Sequence, residues 1–89
     1  MLCCKLKILN EKGLHARASA KLVEVVEGFD ATAEISKDGL SASGDSIMGL
    51  LMLAASIGTT IEILTSGPDA TALSDAIIQL VEDRFGEEY

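Results

Sequence analysis

Apolar and polar positions alternate with a period of two at the start of the chain. Cys4, Leu6 and Ile8 are interleaved with Lys5 and Lys7, which predicts a strand with one wet face. The polar turn Asn10 to Gly13 ends it. From Ala16 to Glu27 the period changes: Ala18, Leu22 and Val26 recur at helical spacing beside Val23 and Val25, and Gly28 stands as a stop. Ala33 and Ile35 then alternate with Thr32, Glu34 and Ser36. Asp38-Gly39 is a tight hairpin signal, so a short antiparallel strand is expected from Leu40 to Ser43. Ser46 is placed to cap a short apolar helix, Ile47 to Leu53, and Thr60 to Thr65 reads as another strand. After the turn Ser66-Gly67-Pro68-Asp69, Asp69 is expected to cap a last helix. Leu73, Ile77, Leu80, Val81 and Arg84-Phe85 trace one side of that helix, and Asp75, Gln79, Glu82 and Asp83 the other.

The order is β-α-β-β-α-β-α. Half-wet strands and helices with single apolar stripes predict an α+β, two-layer fold: a four-stranded antiparallel sheet with three helices on one face. With 89 residues, two cores would hold about 45 residues each, near the size at which disulfides or metals become necessary, so residues 1–89 are expected to form one domain. Only Phe29, Phe85 and Tyr89 are aromatic, which leaves the core to Leu, Ile, Val, Met and Ala.

Charge sharpens the picture because it is unevenly placed. The chain carries a net −7, yet residues 1–21 hold Lys5, Lys7, Lys12, Arg17 and Lys21 against Glu11 alone. An acidic total without stacking aromatics argues against nucleic acid as a partner, while the basic first quarter can still bind a compact anion. The opening MLCCKLKILN lacks the apolar stretch of a signal peptide, and Ile47 to Ile57 is far below the ~20 residues of a membrane helix, so a cytoplasmic protein with no membrane partner is expected. Cys3 and Cys4 are adjacent, unlike spaced metal ligands, and read as reduced residues on a strand.

His15 is the only histidine, and it stands where the polar turn feeds a helix. The first amides of a helix lack intrahelical partners and its dipole is positive there, so an anion finds donors already aimed at it. Arg17 can add charge-assisted bonds to a phosphate. No companion acid or base is visible near His15 in the sequence, and one histidine builds no metal site without converging carboxylates. His15 therefore fits an acceptor that another protein loads and unloads, against the plainer possibility of a capping or solvent-facing residue.

Gly13-Leu14-His15-Ala16-Arg17-Ala18-Ser19-Ala20 resembles the active-site motif of the HPr family, the histidine-containing phosphocarriers of the bacterial phosphoenolpyruvate-dependent phosphotransferase system. Asp45-Ser46-Ile47-Met48-Gly49-Leu50-Leu51-Met52-Leu53 resembles the second motif, around a regulatory serine. The likeness covers the chain except the residues after Phe85. Ala18 departs from the proline most members carry there, an accepted variant that forgoes only the preorganisation of a first-turn proline.

The resemblance implies an open-faced β-sandwich in which His15 accepts phosphate on Nδ1 from enzyme I and passes it to a histidine of an enzyme IIA domain. Arg17 and the amides of Ala16 and Arg17 would be the phosphate's partners, with no cofactor. It further implies a docking face of Ala20, Lys21, Ile47, Met48 and Leu51, and phosphorylation of Ser46 by an HPr kinase/phosphorylase. Ser46 is otherwise simply a good N-cap, and the apolar helix otherwise simply packs. Two alternatives stand beside the carrier: a small ferredoxin-like ligand-binding or interaction domain, which shares the β-α-β-β-α-β order, and a purely regulatory relative acting through Ser46. Neither the sugar nor the nitrogen-related branch is singled out.

Overall fold

Four strands carry the architecture of the computed structural model, which describes residues 2–87. They are β1 (Leu2–Lys7), β2 (Thr32–Lys37), β3 (Leu40–Ser43) and β4 (Thr60–Ser66), joined in the order β1-β4-β2-β3 with every pairing antiparallel. A ferredoxin-like sheet is also antiparallel but holds β1 and β3 at its centre, whereas here β4 and β2 are central and β1 and β3 are the edges, so that alternative fails on strand order.

Register sorts the two faces. Cys4, Ile63, Ile35 and Ala42 lie side by side across the sheet and face the core, while the row beside them, Lys5, Glu62, Ser36 and Ser41, faces solvent. Asp38 and Gly39 both have positive φ, 51° and 85°, as the two central residues of a mirror-image hairpin turn require.

The helices are α1 (Ala16–Glu27), α2 (Ile47–Met52) and α3 (Ala70–Glu82). α1 buries Ala18, Leu22, Val23 and Val26, and α3 buries Leu73, Ile77 and Val81, against Ile8, Ile35, Ile61 and Ile63. α1 keeps the predicted bounds, but Gly28 ends it with ordinary right-handed dihedrals, φ −80° and ψ −3°. Ser46 caps α2 as expected, its Oγ accepting from the Gly49 N–H at 3.1 Å. Lys37 closes the other end of α2 by donating to the carbonyls of Leu53 and Ala54 at 3.1 and 3.2 Å.

Two expectations for α3 need correction. Asp69 stands at its N-cap position without making the capping bond. Its backbone, at φ −100° and ψ 23°, is not extended, and its Oδ2 instead accepts from the Asp30 N–H at 2.9 Å, tying the α1–β2 loop to the start of α3. Nor does Phe85 continue the helical stripe: α3 ends at Glu82, and a 3-10 turn, Arg84–Gly86, follows with positive φ at Arg84, Phe85 and Gly86. That turn drives the Phe85 ring fully into the core. The interior is otherwise Leu, Ile, Val and Ala without the expected Met, since Met48 and Met52 are exposed; Phe29 is only half-buried and Tyr89 lies outside the described residues.

Candidate functional site

The loop before α1 is held rigidly, and that fixes His15. Gly13 has φ 66°, and a Cβ there would meet Ala55 O at 2.4 Å and Ser56 Cα at 2.8 Å, so only glycine lets the two loops approach this closely. Leu14 next to it is buried, its N–H donating to Ala55 O at 2.8 Å, while Ser19 Oγ donates to Leu14 O at 3.3 Å. His15 follows as the N-cap residue of α1 in extended conformation, φ −80° and ψ −176°, with no side-chain capping bond. The ladder of α1 opens with Ser19 N–H donating to His15 O at 2.8 Å. The amides of Ala16, Arg17 and Ala18 therefore precede the first intrahelical bond, as helix starts require.

The half-exposed His15 ring does not face solvent alone. Its Nε2 is hydrogen-bonded to the carboxylate of Glu87, which also accepts from Asn10 Nδ2 at 2.9 Å. Asn10 is fully buried, and the same Nδ2 donates to Gly13 O at 2.8 Å. Burial pushes the Glu87 carboxyl up, but the hydrogen bonds from Asn10 and His15 and the charges of His15 and Lys12 outweigh it, holding the group below the usual carboxylate range. The expectation that His15 lacks an acidic companion is thus overturned. The partner comes from 72 positions away, along a segment whose path depends on the left-handed turn after α3.

Beside this pair lies a cavity of about 330 Å³ lined by Glu11, Lys12, Arg17, Lys21, Gly86 and Glu87. Three of the five cations of the first 21 residues, Lys12, Arg17 and Lys21, converge there on the N-terminal end of α1 beside the carboxylates of Glu11 and Glu87. Arg17 and Ala16 are exposed. Lys21 is half-buried and donates from Nζ to Phe85 O at 2.5 Å, so it also ties down the C-terminal turn. The larger hollows, about 410 and 550 Å³, lie on the solvent face of the sheet, lined by strand and hairpin residues.

Of the other anticipated residues, Ile47 and Met48 are exposed, Ala20 and Leu51 half-buried, and Ser46 half-buried at the start of α2. Met52, 77% exposed, and Ile57, 55% exposed, are further exposed apolar side chains outside the anticipated set. Both lie at the end of α2 and in the loop after it, where the apolar run alone does not tell inside from outside.

A family model described as "PTS HPr component phosphorylation site" matches residues 3–83. The chain belongs to the HPr family. It is similar to phosphocarrier protein HPr of Cupriavidus necator, 46% identical over 80 residues that make up 90% of each chain. It is equally similar to phosphocarrier protein NPr of Shewanella violacea, 46% identical over 80 residues, 90% of this chain and 88% of that one. Among solved structures, HPr-C-His from Thermoanaerobacter tengcongensis superposes with a TM-score of 0.95 at 32% identity, each chain covered completely. The fold is thereby the open-faced arrangement of HPr, and the chain is a phosphocarrier of the phosphotransferase system rather than an enzyme. Equal identity to an HPr and an NPr leaves both branches of that system represented among its relatives.

Proposed function

We propose that the chain carries its phosphoryl group on Nδ1 of His15, taking it from enzyme I and passing it to a histidine of an enzyme IIA domain in the cytoplasm. The observation that carries this reading is the pairing of His15 Nε2 with Glu87 at the start of α1. A carboxylate only accepts, so Nε2 bears the proton and, in the neutral ring, the lone pair is left on Nδ1. Arg17 and the amides of Ala16 and Arg17 receive the phosphate. Helix-start amides and an exposed arginine are moderate stabilisers, each worth roughly 0.3–1 kcal/mol, which suits a group that must be handed on. No helix among the described residues is long and apolar enough to cross a bilayer.

Partners dock on the face formed by Ala20, Lys21, Ile47, Met48 and Leu51. Exposed Ile47 and Met48, with Met52 beside them, form a patch of the kind that marks interaction surfaces, and adaptable methionines suit several unrelated partners. The test is incubation with enzyme I and labelled phosphoenolpyruvate. The expected product is an acid-labile, base-stable phosphate absent from His15→Ala, and label that survives His15→Ala would overturn the assignment.

Ser46 adds regulation by an HPr kinase/phosphorylase. Its Oγ holds the Gly49 N–H at the start of α2, where added negative charge is tolerated by the helix while about two charges enter the docking face and repel acidic partners. Ser46→Ala should abolish labelling by the kinase and cost about 1 kcal/mol of stability through the lost cap. Unchanged kinase labelling in Ser46→Ala would remove this claim. Arg17 lines the cavity together with Glu87, the partner of His15, which weighs against a relative that acts through Ser46 alone.

A further inference from the structure

The segment after α3 does more than end the chain. Phe85 is fully buried, and its carbonyl accepts from Lys21 Nζ of α1 at 2.5 Å. Three successive residues with positive φ, Arg84 at 53°, Phe85 at 55° and Gly86 at 76°, reverse the backbone tightly. Two of the three are not glycine, a conformation that persists only where surrounding contacts hold it. The result is a strap laid across the start of α1 that delivers one carboxylate, Glu87, onto the His15 ring and the buried Asn10 amide together. Asn10 is in turn aimed by Gly13 O, so its amide side, not its carbonyl, meets the strap.

Resting on the carrier reading above, we propose that Glu87 is a positioning residue for phosphotransfer. It holds the proton on Nε2, fixes the rotation of the ring, and presents Nδ1 with its lone pair toward the cationic cavity. Transfer then forms the Nδ1–P bond as the N–P bond of the donor's phosphohistidine breaks, the electron pair returning to the donor nitrogen. The Nε2 proton stays where it is, and the positive charge that grows on the His15 ring faces the Glu87 carboxylate at Nε2. No proton has to leave during the step. Lys12, which faces the same carboxylate, and Arg17 and Lys21, which line the cavity with it, set the field in which this charge develops.

Two variants test the proposal in the full chain. Glu87→Ala removes the acceptor, and Glu87→Gln keeps the shape but offers one acceptor oxygen for the two donors of Asn10 and His15. Ring 15N spectra of neutral His15 should show the Nε2–H form in the native protein, and in both variants should move toward those of a mixture of the two tautomers. The initial rate of phosphorylation by enzyme I should fall about fivefold, the scale of one partly exposed charge-assisted pair. The affinity for enzyme I should stay within twofold, because Glu87 acts through the ring and not through docking. Ring shifts that coincide in all three proteins, or rates within twofold of one another, would overturn the proposal. A native protein that takes no phosphate on His15 sinks the carrier reading instead, whereas the tautomer is decided by the ring spectra without any partner.

Discussion

A single carboxylate, that of Glu87, holds the His15 imidazole at Nε2, and its protonation can be followed directly. Because the Glu87 carboxyl is held below its usual range in the folded chain, the bonds from Asn10 and His15 are fully present above the ordinary carboxylate range and are lost as the pH falls through the lowered folded value. The Glu87 side-chain carboxyl carbon should therefore titrate below an ordinary glutamate, and the Asn10 side-chain amide resonance should shift with the same midpoint. A midpoint at or above that of a free glutamate would contradict the strap. At this scale the sequence spoke unevenly. The places of His15 and Arg17 at a helix start and of Ser46 at a cap were legible because each is fixed by neighbours in its own segment. Glu87 and Asn10 were not: one read as a tail residue and the other as a polar turn, and only the reversal at Arg84–Gly86 brings them to the same ring.

Elements were easier to anticipate than their ends. Periods of two and near four located β1, β2, β4, α1 and α3, since each buries one face against the same core, while β3 and α2 were placed by a hairpin turn and a cap. The errors fell where tertiary contacts override local chemistry. Asp69 exchanges its cap for a bond to the neighbouring loop, and the apparent continuation of the α3 stripe to Phe85 is made by a separate turn. That turn has an energetic role. Among the described residues Phe85 is the largest fully buried side chain, so Phe85→Ala should destabilise the fold by about 3–5 kcal/mol in chemical denaturation. It should also release Lys21 and Glu87, giving His15 the spectrum of an unpaired ring in the fraction that remains folded. A loss under 1 kcal/mol would show that the ring does not anchor the strap.

Across the whole molecule, charge is segregated as the sequence implied. A net −7 surface surrounds a site where Lys12, Arg17 and Lys21 face one cavity. Attraction between that site and an acidic partner is long-ranged and screened within about 8–10 Å at physiological salt, whereas the apolar core is not. Raising salt from 0.05 to 0.5 M, on the order of a tenfold increase that shortens the screening length about threefold, should thus slow association with enzyme I by an order of magnitude while shifting thermal unfolding little. A salt-independent association rate would remove the cationic cavity from the docking step. The sheet order β1-β4-β2-β3 was not legible in advance, because the β-α-β-β-α-β succession fits more than one pairing and only the register between strands selects among them.

The central claim, that one ring nitrogen of His15 carries the phosphate, is met most directly by 31P and 15N NMR of the chain phosphorylated with enzyme I and phosphoenolpyruvate. One phosphate per chain, coupled to His15 Nδ1 while Nε2 keeps its proton, is the predicted result. Phosphate on Nε2, or on any residue other than His15, would contradict it.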